Sequence, residues 1–317
     1  MTLTDLQTAA PVAAPPAVAG RSPLELAWAR LRRDRVAIVT GVVIVLIVLA
    51  AVTAPLLARL IGWEPTFQDR DAGVSPEGLP VAPSGSHWLG TDNLGRDILV
   101  RTLYGARVSL MVGVVATLAA TLLGVVVGLP AGYYGGAVDV VLARSMDVVL
   151  SFPFLLFAIA LVSIVGPSLT ISIVVISFFS WAAIGRIVRG QTLSIVEEEY
   201  VEAGRSLGAG DLRIMLVDVL PNLVAPVIVL ATLLLPTAIV FEATLSFLGL
   251  GVVPPTPTWG NMLSDSLQFY AVAWWFVFIP GAALLITTLA FNLLGDAVRD
   301  ALDPGTERLF ARKAAKP

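Results

Sequence analysis

The sequence predicts an all-helical, polytopic membrane protein with six transmembrane helices, and three observations carry that prediction. Of the 317 residues, 57% are hydrophobic and 14% are charged. The mean hydropathy of +0.87 is far above that of a water-soluble domain. A spanning helix needs ~20 mostly apolar residues, and six stretches qualify, near 36–58, 108–131, 140–165, 168–188, 220–246 and 275–297. Between the fourth and fifth lies a polar island from Glu197 to Pro221, too charged and glycine-punctuated for hydrocarbon.

Residues 1–20, rich in Ala, Pro and Val, lack the basic start and apolar core of a cleaved leader and are expected to form a disordered tail. Ser22, Pro23 and Glu25 supply an N-cap, a first-turn proline and a capping-box partner. They open a segment, 21–35, with Leu24, Ala27, Trp28 and Leu31 on one side and Arg30, Arg32, Arg33 and Arg35 crowding its end. That pattern suits an interfacial helix, the alternative being a solvated, charged linker. After the first span, 59–107 is Pro/Gly-rich until His87-Trp88-Leu89-Gly90-Thr91-Asp92, where Thr91 or Asp92 could cap a helix entering the second span. The third and fourth spans meet through Gly166-Pro167-Ser168, which allows only a tight hairpin. A second external segment, 247–274, carries Pro254, Pro255 and Pro257 before Trp259-Gly260-Asn261-Met262. Trp88, Trp259, Trp274 and Trp275 fall near one membrane boundary, as an aromatic belt requires.

Basic residues accumulate on cytoplasmic loops. With the N-terminus inside, fifteen of the 20 Lys and Arg fall on the inner side, and Arg59, Arg70, Arg96, Arg101 and Arg107 outside. Both termini and the polar island are therefore expected in the cytoplasm, with a tail over 298–317. Cysteine is absent and His87 stands alone, which excludes disulfides, thiolate chemistry and a His-rich metal site. No basic block suits nucleic acid, so no nucleic-acid partner is expected.

The island divides into a helix around 196–207, a break at Gly208-Ala209-Gly210, and a second helix from Asp211 toward Pro221. Glycines at the break free the backbone, and a helix this short needs a docking partner to supply burial. The pattern resembles the cytoplasmic loop of permease subunits in bacterial ABC importers: Glu-Ala-Ala, three residues, Gly, nine residues, Ile, one residue, Leu-Pro. Here Glu202-Ala203-Gly204 leads to Gly208 and then to Leu220-Pro221 at that spacing, with Gly204 for the second Ala and Asp218 for the Ile. The stretches at 87–110, 241–263 and 291–304 are similar to the second permease of dipeptide/oligopeptide-type importers.

That resemblance implies the type I ABC importer permease fold, a five-helix core over 108–297, and a coupling loop at 189–219. It implies a heterodimer with a homologous permease, two cytoplasmic ATPase subunits that bind ATP and Mg, and an extracytoplasmic solute-binding protein delivering peptide from the far side of the lipid bilayer. By the same resemblance, Glu202, Ala203, Gly204, Arg205, Gly208, Ala209 and Gly210 would contact the ATPase. His87, Trp88, Asp92, Trp259 and Asn261 would take part in binding-protein docking. No phosphate-loop motif occurs and the two lysines lie in the C-terminal tail, so ATP hydrolysis belongs to partners and no cofactor is expected in this chain. Nickel, glutathione or sugar remain alternative solutes, and an ion-coupled secondary transporter is a rival class.

Ionisable groups inside spans mark either packing or pathway. Arg144 and Asp147, three apart on one helical face, can pair with each other or line a solute path. Glu242, ~30 Å along a helix from Pro221, could face the path or make an interfacial hydrogen bond. Asp296, Arg299 and Asp300 read as anchoring charges. Prolines 130, 153, 226, 236 and 280 are candidate kinks, and Gly124, Gly128 and Gly132 would permit close helix packing.

Overall fold

In the computed structural model of the chain the described residues are 23–302. The expected tail at 1–20, the Ser22 cap and most of the expected 298–317 tail lie outside them. The described elements are α1 (Pro23–Leu31), α2 (Arg35–Ile61), α3 (Ile98–Tyr134), α4 (Gly136–Ser151), α5 (Phe154–Val165), α6 (Leu169–Val196), α7 (Glu199–Ser206), α8 (Asp211–Arg213), a π turn (Ile214–Val219), α9 (Leu220–Phe247), α10 (Trp259–Ser266) and α11 (Trp274–Leu302).

Local chemistry sets the ends. Asp34 Oδ1 accepts from the Val36 amide at 2.7 Å and starts α2; Gly62 at φ +90° closes it. Asp97 Oδ1 accepts from the Val100 amide at 2.9 Å, so Asp97, and neither Thr91 nor Asp92, caps α3. The helix therefore begins a few residues after the expected cap and runs on into the span expected from 108. At 37 residues and 1.5 Å per residue it is roughly 55 Å long, more than a ~30 Å hydrocarbon layer requires. Ser168 Oγ, accepting from the Ile171 amide at 3.1 Å, starts α6 after the expected tight turn.

The expected third span, 140–165, is not one continuous helix. The chain bends by 82° between α4 and α5. Pro153 has no amide hydrogen to continue the ladder, and Phe152 before it takes the extended conformation (φ −83°, ψ 132°) that a following proline favours. Among the described residues, five helices are long and apolar enough to cross a membrane, or six if the bent pair counts as one. A second difference concerns Pro221: the helix from Asp211 does not stop there but continues to Phe247, with the π turn absorbing the junction.

The centre of the bundle is the seam between α3 and α6. A Cβ on Gly124 would lie 2.6 Å from Ile184 Cγ2, on Gly128 2.5 Å from the Gly185 carbonyl oxygen, and on Gly132 2.6 Å from Thr192 Cβ. The glycine stripe is thus filled by the Ile184 and Thr192 side chains and by the backbone of α6 at Gly185 and Arg189, the close approach that small residues permit. Helix α2 buries Ala51, Ala54 and Ala58 while Val45, Leu49, Val52 and Leu56 stay exposed, as suits a helix at the rim facing hydrocarbon. Arg30 Nη1 donates to the Ala301 carbonyl at 3.0 Å, so α1 rests on the C-terminal end of α11. Prolines 130, 226, 236 and 280 all lie within helices.

Candidate functional site

At one end of the bundle, α7 and the π turn form a short outwork on α3, α6 and α9. Its anchor is apolar: Val201, Ile214, Val219 and Leu223 are fully buried with Tyr133, Val188 and Met215 in one cluster. Tyr133 Oη donates to Asp211 Oδ1 at 2.9 Å, and the Arg205 guanidinium sits 5.3 Å over the Tyr133 ring, a cation–π contact. Arg205 thereby ties α7 to the end of α3.

The expected coupling residues spread over this outwork. Glu202, Ala203, Arg205, Gly208 and Gly210 are exposed, whereas Gly204 and Ala209 are half-buried. Gly208 turns the chain at φ +80°, which a glycine tolerates without strain; Gly210, at φ −73°, needs no such freedom. Four apolar side chains stay open to the surroundings in this stretch: Leu207, 89% exposed before the turn, Leu212 after it, and Leu216 and Val217 in the π turn, with the exposed charges of Asp211 and Arg213 among them. Exposed apolar groups clustered on a polar loop mark an interaction surface. Periodicity along the island could not show this, because the helix breaks at Gly208 and the regular period is interrupted again by the π turn.

The opposite end is a capping layer made from 59–97 and α10, and it overturns most of the expected docking set. His87 and Asp92 are fully buried, Trp259 and Asn261 nearly so, and only Trp88 of the five is exposed. Buried side chains offer no area to an incoming protein; these four hold the layer together. His87 spans two carboxylates, with Nδ1 2.9 Å from Asp97 Oδ2 and Nε2 3.3 Å from Asp69 Oδ2, and stacks on Trp63. Asp92 Oδ2 accepts from Arg96 Nε at 2.6 Å. Arg101 Nε lies 3.2 Å from the same oxygen as an ion pair, without hydrogen-bond alignment. Trp259 Nε1 donates to the Thr102 carbonyl at 3.1 Å, against Gly105 of α3. Thr258 and Asn261 form a capping box for α10. Of the four expected belt tryptophans, Trp88 and Trp274 are exposed and Trp259 and Trp275 buried.

Titratable groups in this layer respond to these contacts. The Ala72 amide, ahead of His87 and the Asp71 amide, holds the Asp69 carboxyl below its ordinary range against a partial burial effect. Burial pushes Asp265 up, with Arg96 and Arg101 pulling the other way.

Within the spans, Glu242 lies in the α3/α9 interface and faces no open path: it is fully buried and accepts from Ser109 Oγ at 2.6 Å and Ser246 Oγ at 2.7 Å. Arg144 and Asp147 do pair, at 3.4 Å, but the stronger partner of Asp147 is Arg186 at 2.5 Å. With Asp139, itself paired to Arg189, they line a cleft of about 340 Å³ between α4 and α6. The Arg186 and Arg189 partners were not legible from spacing, since they come from a different helix.

Residues 124–308 match the family described as binding-protein-dependent transport system inner membrane component, and residues 22–74 match the N-terminal TM domain of oligopeptide transport permease C. The chain is 44% identical over 283 residues to the dipeptide transport system permease protein DppC of Escherichia coli, covering 89% of this chain and 93% of that one. It is 43% identical over 283 residues to the DppC of Alkalihalophilus pseudofirmus, covering 89% and 90%. Against the glutathione transport system permease protein GsiD of Pectobacterium atrosepticum it is 39% identical over 284 residues, covering 90% and 92%. The fold is similar to that of a chain of the MetNI methionine ABC transporter in inward-facing form, with TM-score 0.53 and 19% identity over 64% of this chain and 96% of that one. With six apolar segments, a match over most of the helical core and relatives aligned nearly end to end, the chain belongs to the binding-protein-dependent transport system inner membrane components, the multi-pass permeases of ABC importers.

Proposed function

We propose that this chain is the permease subunit of an ATP-driven importer of di- or oligopeptides. It pairs with a homologous permease, receives peptide from an extracytoplasmic solute-binding protein, and is driven by two cytoplasmic ATPase subunits that bind ATP and Mg. The observation that carries the reading is α7 with its apolar skirt: a short helix fixed to three long ones, exposing Leu207, Leu212, Leu216 and Val217 where a partner would cover them. A rigid element of this kind lets ATP-dependent contact energy in the partner bias one arrangement of the spans over another. Peptide as cargo follows the printed names of the relatives in E. coli and A. pseudofirmus.

In this reading the loop end faces the cytoplasm, as the distribution of basic residues favours. The capping layer faces outward and meets the binding protein through exposed groups such as Trp88, Leu94, Leu267 and Tyr270. The test is reconstitution of the four-subunit complex with its binding protein in proteoliposomes. ATP-dependent uptake of a labelled dipeptide is expected, and Leu207→Asp should abolish it together with ATPase attachment. Uptake of glutathione or nickel without peptide would reassign the cargo. Uptake by this chain alone, driven by an ion gradient, would overturn the reading.

A further inference from the structure

The two positions where the loop departs from the permease pattern, Gly204 and Asp218, face each other across it. A Cβ placed on Gly204 would lie 3.7 Å from Asp218 Oδ2 and meet nothing else within 4 Å. An alanine would therefore fit in ordinary contact, and this glycine is not in a left-handed conformation. The chain's own packing gives no reason for it, although in a helix it costs about 1 kcal/mol relative to alanine.

Asp218 is half-buried in the π turn, and among the described residues no donor or cation reaches its carboxylate. A partly desolvated carboxylate without a partner is unfavourable. Beside it, Asn222 Nδ2 donates to the Asp218 carbonyl at 2.7 Å and to Tyr200 Oη at 3.1 Å. That leaves the phenol proton free for another acceptor and the exposed ring face available for stacking. Burial, then the charges of Glu198 and Asp218, push the Tyr200 phenol up, as expected in a locally negative field. No group of three metal-ligating side chains occurs among the described residues, so a bound metal ion does not account for the carboxylate.

We propose that Gly204, Asp218 and Tyr200 form a notch that receives one cationic side chain, an arginine, from the ATPase subunit. The inference rests on the reading of α7 as the coupling element. A guanidinium fits because its planar fork can pair with the Asp218 carboxylate while lying on the Tyr200 ring. The missing Cβ at Gly204 keeps the approach to Asp218 open. The apolar skirt then supplies attachment, while the notch selects an ATPase bearing an arginine at the matching place, since a charge left unpaired in the contact disfavours other partners.

The experiment uses the permease pair co-expressed with its ATPase subunits, measuring their association in detergent across a salt series. Asp218→Asn, which keeps shape and removes charge, and Gly204→Leu, which fills the approach, should each weaken association about tenfold. Asp218→Asn should also flatten its salt dependence. Asp218→Arg should release the ATPase, and reversing a single arginine of the ATPase groove to aspartate should restore it. Wild-type affinity and salt response in Asp218→Asn, with Leu207→Asp still disruptive, would overturn the notch and leave the coupling reading standing. If Leu207→Asp is also without effect, both readings fall.

Discussion

Gly128→Ala tests the seam between α3 and α6, because the same substitution elsewhere in the bundle should have the opposite sign. A methyl on Gly128 would stand 2.5 Å from the Gly185 carbonyl oxygen, 2.9 Å from Val188 Cβ and 3.1 Å from Gly185 Cα. Ordinary C···O contacts begin near 3.3 Å, so the helices must part by roughly 0.8 Å. The obstacle is backbone and cannot rotate aside. Separation of this size forfeits a quarter to a half of the dispersion energy of the contacts it opens, and overpacking typically costs ~1–3 kcal/mol. Against this stands about 1 kcal/mol gained in helix propensity, leaving a net loss of ~0–2 kcal/mol. Gly190 of α6 has nothing within 4 Å of the same methyl, so Gly190→Ala should gain ~0.5–1 kcal/mol. Thermal unfolding of the two variants in the same detergent reads the difference directly. Equal stability of Gly128→Ala and Gly190→Ala would refute the close backbone contact.

Other outcomes follow from burial and charge. Trp259→Ala should cost ~3–5 kcal/mol because it empties a filled site on α3, whereas Trp88→Ala, 61% exposed, should leave the unfolding midpoint almost unchanged. Asp92→Ala strands the buried Arg96 and Arg101 and should cost ~3–5 kcal/mol; Asp265→Ala, where the lost pair is at 3.4 Å and partly exposed, should cost under ~1 kcal/mol. Asp69, held below its ordinary value, contributes stability above its unfolded pKa near 3.8 and loses it as pH falls through the lower folded value. Hydrogen-exchange protection of 69–97, taken relative to the intrinsic exchange rate at each pH, should therefore fall on acidification below pH 3.8, and Asp69→Asn should weaken that dependence.

Much of the architecture was legible because it rests on local rules. Apolar runs of spanning length located the helices, a glycine every fourth residue announced a close helix contact without saying which helix would make it, and a glycine at 208 announced the turn after α7. The break at Pro153 was visible as a candidate kink, but its 82° size was not, since the angle depends on how α4 and α5 pack once the ladder is interrupted. The outer layer was the least legible. Polar and aromatic residues in an external segment read as contact groups, yet His87 is buried on Asp69 and Asp97, Asp92 on Arg96 and Arg101, and Asn261 on Thr258, in a layer that long-range contacts such as Trp259 with Thr102 close over them.

Composition and spacing alone determined that this chain is a multi-pass helical membrane protein with a polar loop of the permease pattern. Hydrocarbon admits only segments whose backbone hydrogen bonds are made internally, and that requirement is written residue by residue. Tertiary structure alone decided which charged and aromatic groups are buried in pairs and which remain open to a partner. It also brought Gly204 against Asp218. Burial and pairing depend on contacts between residues distant in sequence, and no local pattern encodes those distances.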